Sequence, residues 1–337
     1  MAQDDHAIVV GITTYPGFRD LAGPERDAVA FREWLIDPTK GAVPPANVKT
    51  LLTSSMHPPP PATAAEARPG PDDVHQLLRP HVQQAGLGKR VGRRLYIYAA
   101  GHGFSDPADM RSAALYAANA EFMFPLHVAM TAYADFFQRS AAFDDVVLIM
   151  DCCRTVSALE SVLSATIPNI GPNANAKNVR TFTAFGASWG GPAREKAFGP
   201  NTRGIFTMTL LEALDRCEPD EHGNVTGQKL KEYIHNRIDA VAAPEKVDPP
   251  DIPIGSRDVA LLTRPAAPPA AVTFTLEPAA VGKALVITRS QVEVHREILA
   301  ARSTIVPLRP AIYKARVDGL NTAQLFEVTG GEVSVAL

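Results

Sequence analysis

The sequence predicts an α/β protein, a largely parallel sheet flanked by helices, with a small all-β, sandwich-like domain after it. Three observations predict this. From His6 to about Thr263, continuous β-branched runs alternate with stretches whose apolar residues recur at helical spacing, the pattern of buried parallel strands covered by helices. From Val272 onward the runs are short and alternating, broken by Gly, Pro or polar residues, as in antiparallel strands. Between the two lies "RPAAPPAA", Arg264 to Ala271, a Pro/Ala-rich linker. The expected organisation is a domain over 1–263, a linker over 264–271 and a β-domain over 272–337.

The elements follow in order. "HAIVVGITTY" (His6 to Tyr15) starts as a strand buried on both faces, and Ala28, Phe31, Trp34 and Leu35 mark a helix over Glu25 to Asp37. "NVKTLLT" (Asn47 to Thr53) is a second strand. "MHPPPPATAAEARPGPDD" (Met56 to Asp73) is Pro-rich and reads as an extended surface loop. A helix follows, with Pro80 expected to kink or shorten it. Arg94 to Ala100 is a third strand, Phe124 to Ala141 contains a helix, and Asp144 to Cys153 is a fourth strand. A Gly/Asn/Pro-rich loop, Ser164 to Asn178, leads to a fifth strand, Val179 to Ser188. Helices over Gly204 to Cys217 and Thr226 to Ala242 complete the region, the second with Thr226 as its N-cap. The β-domain contributes seven strand-like runs, from "AVTFTLE" to "EVSVAL".

Bulk composition excludes several function classes. The chain has 337 residues, 46% hydrophobic and 20% charged, ordinary for a globular protein of about two domains. Its formal net charge is -3 with no dense Lys/Arg block, so neither nucleic acid nor a membrane is an expected partner. No apolar run approaches the roughly 18 residues of a membrane helix. "MAQDDHAIVVGITTY" does not read as a secretory signal, and three cysteines make no disulfide framework, so the expected compartment is the cytoplasm. The nine histidines are scattered, with no HExxH, CxxC pair or EF-hand loop, so no metal or other cofactor is expected.

Chemistry is concentrated at two strand ends. In an open α/β sheet the functional crevice lies at the carboxyl ends of the strands. "LYIYAAGHG" (Leu95 to Gly103) ends in His102 between two glycines, and "DDVVLIMDCC" (Asp144 to Cys153) ends in adjacent cysteines. A lone strand-end histidine is ordinarily structural, and a buried cysteine ordinarily an inert apolar side chain. Both gain weight because both terminate apolar strands that, as neighbours, bring their side chains together. Cys153 is then a nucleophile and His102 its base. The glycines allow a sharp turn and leave the Gly103 N–H open to a carbonyl, so that Gly103 and Cys153 form an oxyanion hole.

"YAAGHG" and "DCCRT" resemble the two signature segments of the caspase-like cysteine peptidases, the class holding caspases, metacaspases and their bacterial relatives. Caspases place the histidine about 50 residues before the cysteine, and this chain does the same. The match selects Cys153 rather than Cys152. "GITTYPGFRDLAGPERDAVAFREWL", with its Asp27-Ala28 pair, is similar to the family's opening strand and helix, and "TFTAFGAS" and "RGIFTMTLLEAL" resemble its smaller-subunit region. The resemblance spans roughly residues 6 to 262. Arg154 matches the caspase side, but Thr155 stands where caspases carry Gly, and the β-domain lies outside the resemblance.

The resemblance implies peptide hydrolysis by a Cys-His dyad through an acyl-enzyme, with polypeptides as substrates. Candidate substrate-binding residues are Asp106, Asp151, Ser188, Trp189 and Glu195; Asp151 also reads as a strand-end hydrogen-bond acceptor. Acids outnumber bases near these positions, which points to Arg or Lys before the cut. The Ser164–Asn178 loop occupies the place of the caspase intersubunit linker, with Lys177 and Arg180 as autocleavage candidates. Bacterial relatives imply a signal-gated effector in cell suicide or antiviral defence, activated by a small molecule such as a nucleotide or by a partner protein. The alternative is a ligand- or partner-sensing caspase-like module with little intrinsic proteolysis. A thiol-redox role for Cys152-Cys153 lacks the CxxC spacing.

Overall fold

The computed structural model describes residues 2–56, 63–157, 161–163, 167–220, 222–255, 257–265, 268–289, 291–329 and 332–337. The chain divides into two compact units, Met1–Glu212 with Arg237–Val259, and Ala213–Asn236 with Ala260–Leu337.

The first unit opens with β1 (Asp5–Gly11), α1 (Pro24–Ile36), β2 (Val48–Leu52), the single turn α2 (Thr53–Met56), α3 (Pro71–Gly86) and β3 (Gly92–Gly101). Three short strands follow, β4 (Gly103–Ser105), β5 (Ala113–Tyr116) and β6 (His127–Val128), then α4 (Met130–Ser140), β7 (Phe143–Cys152), β8 (Arg180–Phe185) and a hairpin of β9 (Glu195–Phe198) and β10 (Asn201–Gly204). The main sheet runs β2-β1-β3-β7-β8, and every neighbouring pair is parallel. Strand β3 shows why its sequence is continuously apolar. Leu95, Ile97 and Ala99 share a core with Val74 and Leu78 of α3 and Phe136 and Phe137 of α4. Tyr98, on the opposite face, stacks on Phe31 of α1 with ring centroids 4.7 Å apart. Both faces are covered, so both residue parities must be apolar.

Helix starts follow local chemistry. Pro24 and Pro71 open α1 and α3, where a missing N–H costs nothing, and the Asp73 carboxylate accepts from the Gly70 N–H at 2.8 Å. Pro80 neither ends nor shortens α3, contrary to the sequence expectation. It and Gln76, whose carbonyl it leaves unbonded, both lie on the exposed face, where water can satisfy the carbonyl. Of the Pro-rich stretch, residues 57–62 lie outside the described residues.

The amino ends of four strands carry a transverse row of charge. Asp5 of β1 lies opposite Arg94 of β3, Arg94 opposite Asp145 of β7, and Asp145 opposite Arg180 of β8. Arg94 donates to Asp145 Oδ2 from Nε (3.1 Å) and Nη2 (2.8 Å), and Arg180 Nε donates to Oδ1 at 2.6 Å.

Nearby, His81 of α3 places Nε2 3.2 Å from Nδ1 of His6, with both rings against Phe143. Burial pushes His81 down to about 4, and burial also lowers His6. The unfolded chain titrates its histidines near 6.5. The His81 contribution is therefore intact above pH 6.5 and drains as pH falls toward 4, a loss of about 3 kcal/mol. His81→Leu should show a smaller fall between pH 7 and pH 4 than wild type in urea denaturation followed by tryptophan fluorescence. Both tryptophans, Trp34 and Trp189, belong to the first unit. Parallel curves for the two proteins would refute the assignment.

In the second unit β11 (Asn224–Thr226) pairs antiparallel with β12 (Ala260–Thr263). Thr226 caps helix α6 (Gly227–Ala242), which follows α5 (Ile205–Arg216) in the chain: its Oγ1 accepts from the Lys229 N–H at 3.4 Å. All seven runs expected after the linker are strands: β13 (Ala270–Thr275), β14 (Ala284–Arg289), β15 (Val292–Ile298), β16 (Ser303–Leu308), β17 (Ala311–Val317), β18 (Ala323–Val328) and β19 (Val333–Ala336). They form two sheets, β16-β13-β19 and β15-β14-β17-β18, around one core that includes Phe274, Ile287, Tyr313 and Val335. Of the expected linker, Ala270 and Ala271 are already in β13, and residues 266–267 lie outside the described residues. Among the described residues no helix is long and apolar enough to cross a membrane.

Candidate active site

Register brings the two strand ends together. Strands β3 and β7 are neighbours with Gly101 opposite Cys152, so His102 and Cys153 leave the sheet side by side. Both line one cleft of about 690 Å³ at the carboxyl edge of the sheet.

His102 is held on three sides. Its Nε2 lies 2.6 Å from the Arg19 carbonyl oxygen. A carbonyl only accepts, so Nε2 carries the proton and Nδ1 keeps the lone pair of the neutral ring. The His102 backbone N–H donates to Tyr15 Oη at 3.0 Å, and the buried Tyr15 ring meets the imidazole edge-on at 4.7 Å. The glycines make room for protein rather than for a ligand. A Cβ on Gly101 would come within 2.3 Å of Tyr15 Oη, and one on Gly103 within 2.7 Å of the Cys152 Cβ and the Ala114 carbonyl. Gly103 is buried at the start of β4 and is not among the residues lining the cleft.

The two adjacent cysteines have different surroundings. Cys153 is half-buried, and its Sγ lies 3.8 Å from the Ala193 carbonyl; burial pushes its thiol up. Cys152 points into the core with Sγ 3.5 Å from the Ala99 carbonyl, and burial drives its thiol far above the ordinary range. Cys217 lies in the other unit, buried and raised to about 11. All three are free thiols, and only Cys153 reaches the cleft.

Arg154 fastens the loop that follows Cys153. Its guanidinium is buried, with Nε 3.0 Å from Ser105 Oγ, Nη1 2.5 Å from Asp251 Oδ2, a further bond to the Met110 carbonyl, and its carbon 4.0 Å from the Phe185 ring centroid. Its backbone exchanges hydrogen bonds with Gly190 and Gly191 at 2.9 Å. Nothing in the residue after Cys153 announces this anchor in the sequence, because its partners come from four separate segments.

The floor of the cleft is acidic. Asp151 Oδ2 accepts from Thr207 Oγ1 (2.6 Å) and N (3.1 Å), and burial raises its carboxyl. Asp27, whose Oδ2 accepts from the Gly204 N–H at 2.7 Å and whose Oδ1 pairs with Arg203, is raised by burial and by the nearby Asp151. The sequence pattern marked Asp27 only as part of a family match; its helical position gave no sign that its carboxyl turns into the cleft.

The other candidates divide. Glu195 lines the cleft, but its oxygens accept from the amides of Gly23 (2.7 Å) and Ala22 (3.2 Å). Asp106 lies outside the lining and accepts from the amides of Ala108 (2.8 Å) and Val162 (2.9 Å), which lower its pKa. Ser188 and the 39% exposed Trp189 sit in the turn that pairs with Arg154 and do not line the cleft. In the Ser164–Asn178 loop, residues 164–166 lie outside the described residues. Arg180 begins β8 and is bound to the buried Asp145, so its peptide bond is held in the sheet; Lys177 lies in an exposed single turn. Among the described residues no cluster of three His, Cys, Asp or Glu side chains could hold a metal ion.

The sheet is five-stranded and parallel with helices on both faces, and it carries His102 and Cys153 on adjacent strand ends. No protein-family profile matches this chain. It is 28% identical over 214 residues to a probable protease of a Desulfuromonadales bacterium, covering 62% of this chain; the match spans about a quarter (25%) of that relative's length. Among solved structures it is similar to caspase-1 of Spodoptera frugiperda (13% identity, 78% of this chain and 91% of that chain, TM-score 0.49) and to a Geobacter sulfurreducens protein (15%, 77% and 97%, TM-score 0.45).

Proposed function

We propose that this chain is a cysteine endopeptidase of the caspase-like kind, cutting polypeptides after Arg or Lys. The observation that carries it is that a thiol and an imidazole, its Nε2 taken by the Arg19 carbonyl, line one cleft from neighbouring strand ends. As substrate binds, the Cys153 proton passes to His102 Nδ1 and sulfur attacks the scissile carbonyl. The oxyanion is assigned to the N–H of Cys153, which lines the cleft, with that of Gly103, buried behind the lining, as the next donor inward; one such donor contributes about 3 to 4 kcal/mol. His102 then protonates the leaving amine, and water, losing its proton to the same nitrogen, hydrolyses the thioester. The buried carboxyls of Asp27 and Asp151 support a basic residue before the cut, since a guanidinium or ammonium there supplies the charge that favours their ionised forms.

The elevated Cys153 thiol rests protonated, which suits an enzyme that waits for a signal. We assign reception of that signal, a nucleotide-like small molecule or a partner protein, to the β-sandwich, and the role of a cytoplasmic effector in cell suicide or antiviral defence to the whole. The test is covalent capture: peptidyl acyloxymethyl ketones with Arg, Lys or Asp in the first position, with the labelled residue mapped by mass spectrometry. Cys153 should be the residue modified, by the basic probes at least about tenfold faster than by the acidic one, or roughly 1.4 kcal/mol of discrimination. A native chain that no probe labels, although its unfolded form alkylates normally, would leave the sensing module as the better description.

A further inference from the structure

The β9–β10 hairpin is tied at two points, to the segment before α1 and to the first turn of α1. From the hairpin, Glu195 spends both carboxylate oxygens on the amides of Ala22 and Gly23. From α1, Asp27 answers with its bonds to Arg203 and to the Gly204 N–H. A Cβ on Gly23 would lie 2.8 Å from Glu195 Oε1, so a side chain there would push the carboxylate aside. Three residues before Ala22 is Arg19, whose carbonyl holds the His102 imidazole. The two residues between Arg19 and Ala22 are tied back as well, by the Tyr15 N–H donating to Asp20 Oδ1 at 2.7 Å and the Leu21 N–H to Thr13 O at 2.9 Å, so the Glu195 grip closes the end of a loop already pinned to the segment before it. The hairpin itself faces the cleft through Glu195, Lys196, Ala197 and Thr202.

We propose that Glu195 is a positioning residue: by gripping the Ala22 and Gly23 amides it fixes the Arg19 carbonyl that orients His102, and so links the hairpin against which substrate lies to the catalytic base. This rests on the peptidase reading. A Glu195 devoted to binding a basic substrate side chain would have to release both amides, leaving two backbone donors without partners. Charge-assisted bonds to two successive amides are instead what fixing a loop requires.

Positioning and substrate recognition leave different kinetic signatures. In Glu195→Ala, kcat should fall about 10- to 100-fold, the scale of a sub-ångström to 1 Å misplacement of a reacting group. KM should stay within about threefold, and the loss should be the same for Arg, Lys and neutral residues before the cut. Glu195→Gln keeps an acceptor for the Gly23 N–H and should recover most of the loss. Gly23→Ala, which pushes the carboxylate away, should reproduce it. Melting curves confirm that each full-length variant is folded. Independently of turnover, the pH profile of iodoacetamide alkylation at Cys153, mapped by mass spectrometry, should move in Glu195→Ala toward that of His102→Ala. An unchanged kcat with KM raised only for basic substrates overturns the proposal, as does an alkylation profile that shifts in His102→Ala but not in Glu195→Ala; both leave the dyad standing. A profile and turnover indifferent to His102→Ala would remove the dyad and this proposal together.

Discussion

Cys153→Ala is expected to abolish peptide hydrolysis, a loss on the order of 10⁴-fold or more, whereas Cys152→Ala should stay within a few-fold of wild type. The two residues are chemically identical neighbours, so the difference is purely one of placement. At the end of a parallel strand, successive side chains point to opposite faces. Cys152, the last residue of β7, falls on the core side and packs near the Ala99 carbonyl. Cys153, one residue on, has left the strand and reaches the cleft beside His102. Removing the Cys152 sulfur leaves a small void and should cost about 1 kcal/mol of stability with the site intact. Removing the Cys153 sulfur takes away the one cysteine thiol that lines the cleft with His102. Hydrolysis of a fluorogenic Arg peptide, read beside the thermal midpoint of each variant, separates the two effects. The opposite pattern, with turnover lost in Cys152→Ala and kept in Cys153→Ala, would end the nucleophile assignment.

That contrast also marks how far the sequence could be read. The long strands were visible because burial on both faces leaves a continuous apolar run, and the seven sandwich strands because one wet face leaves an alternating one. His102 and Cys153 were visible because reactive residue types interrupt such runs at their carboxyl ends. Strands β4, β5 and β6, of two to four residues, carry no period, and their pairing is decided by contacts distant in sequence. The same holds for the hairpin. Glu195 was noticed as an acid in a loop near the site, but which amides it grips depends on where residues 22 and 23 arrive. Tyr15, which fills the space above Gly101, and Arg154, buried among four segments, look in the sequence like an ordinary aromatic and an ordinary surface base. Side chains that act through tertiary contacts leave no local pattern; those that end a strand do.

The register that sets His102 and Cys153 on neighbouring strand ends should be most sensitive at the far end of the sheet. Asp145→Ala is expected to destabilise the first unit by about 3 to 5 kcal/mol, the cost of taking from a buried guanidinium the carboxylate to which its Nε and Nη2 both donate. Arg94 and Asp145 are both almost fully buried, and Asp145 answers Arg94 with one oxygen and Arg180 with the other. Burying such charges is costly, and what it supplies here is alignment. A slip of one residue between β3 and β7 would set Asp145 against Arg93 or Leu95, whose side chains face the other way. It would also separate His102 from Cys153, which lie eight residues beyond Arg94 and Asp145, about 26 Å up their strands. Urea denaturation followed by tryptophan fluorescence should show the lowered midpoint of Asp145→Ala. The double variant Arg94→Met with Asp145→Leu, which removes the charge pair instead of breaking it, should recover much of the loss. If Asp145→Ala costs less than about 1 kcal/mol, the scale of an exposed ion pair, then the apolar packing of the strands alone sets their register, and the charged row is incidental to the alignment of thiol and imidazole.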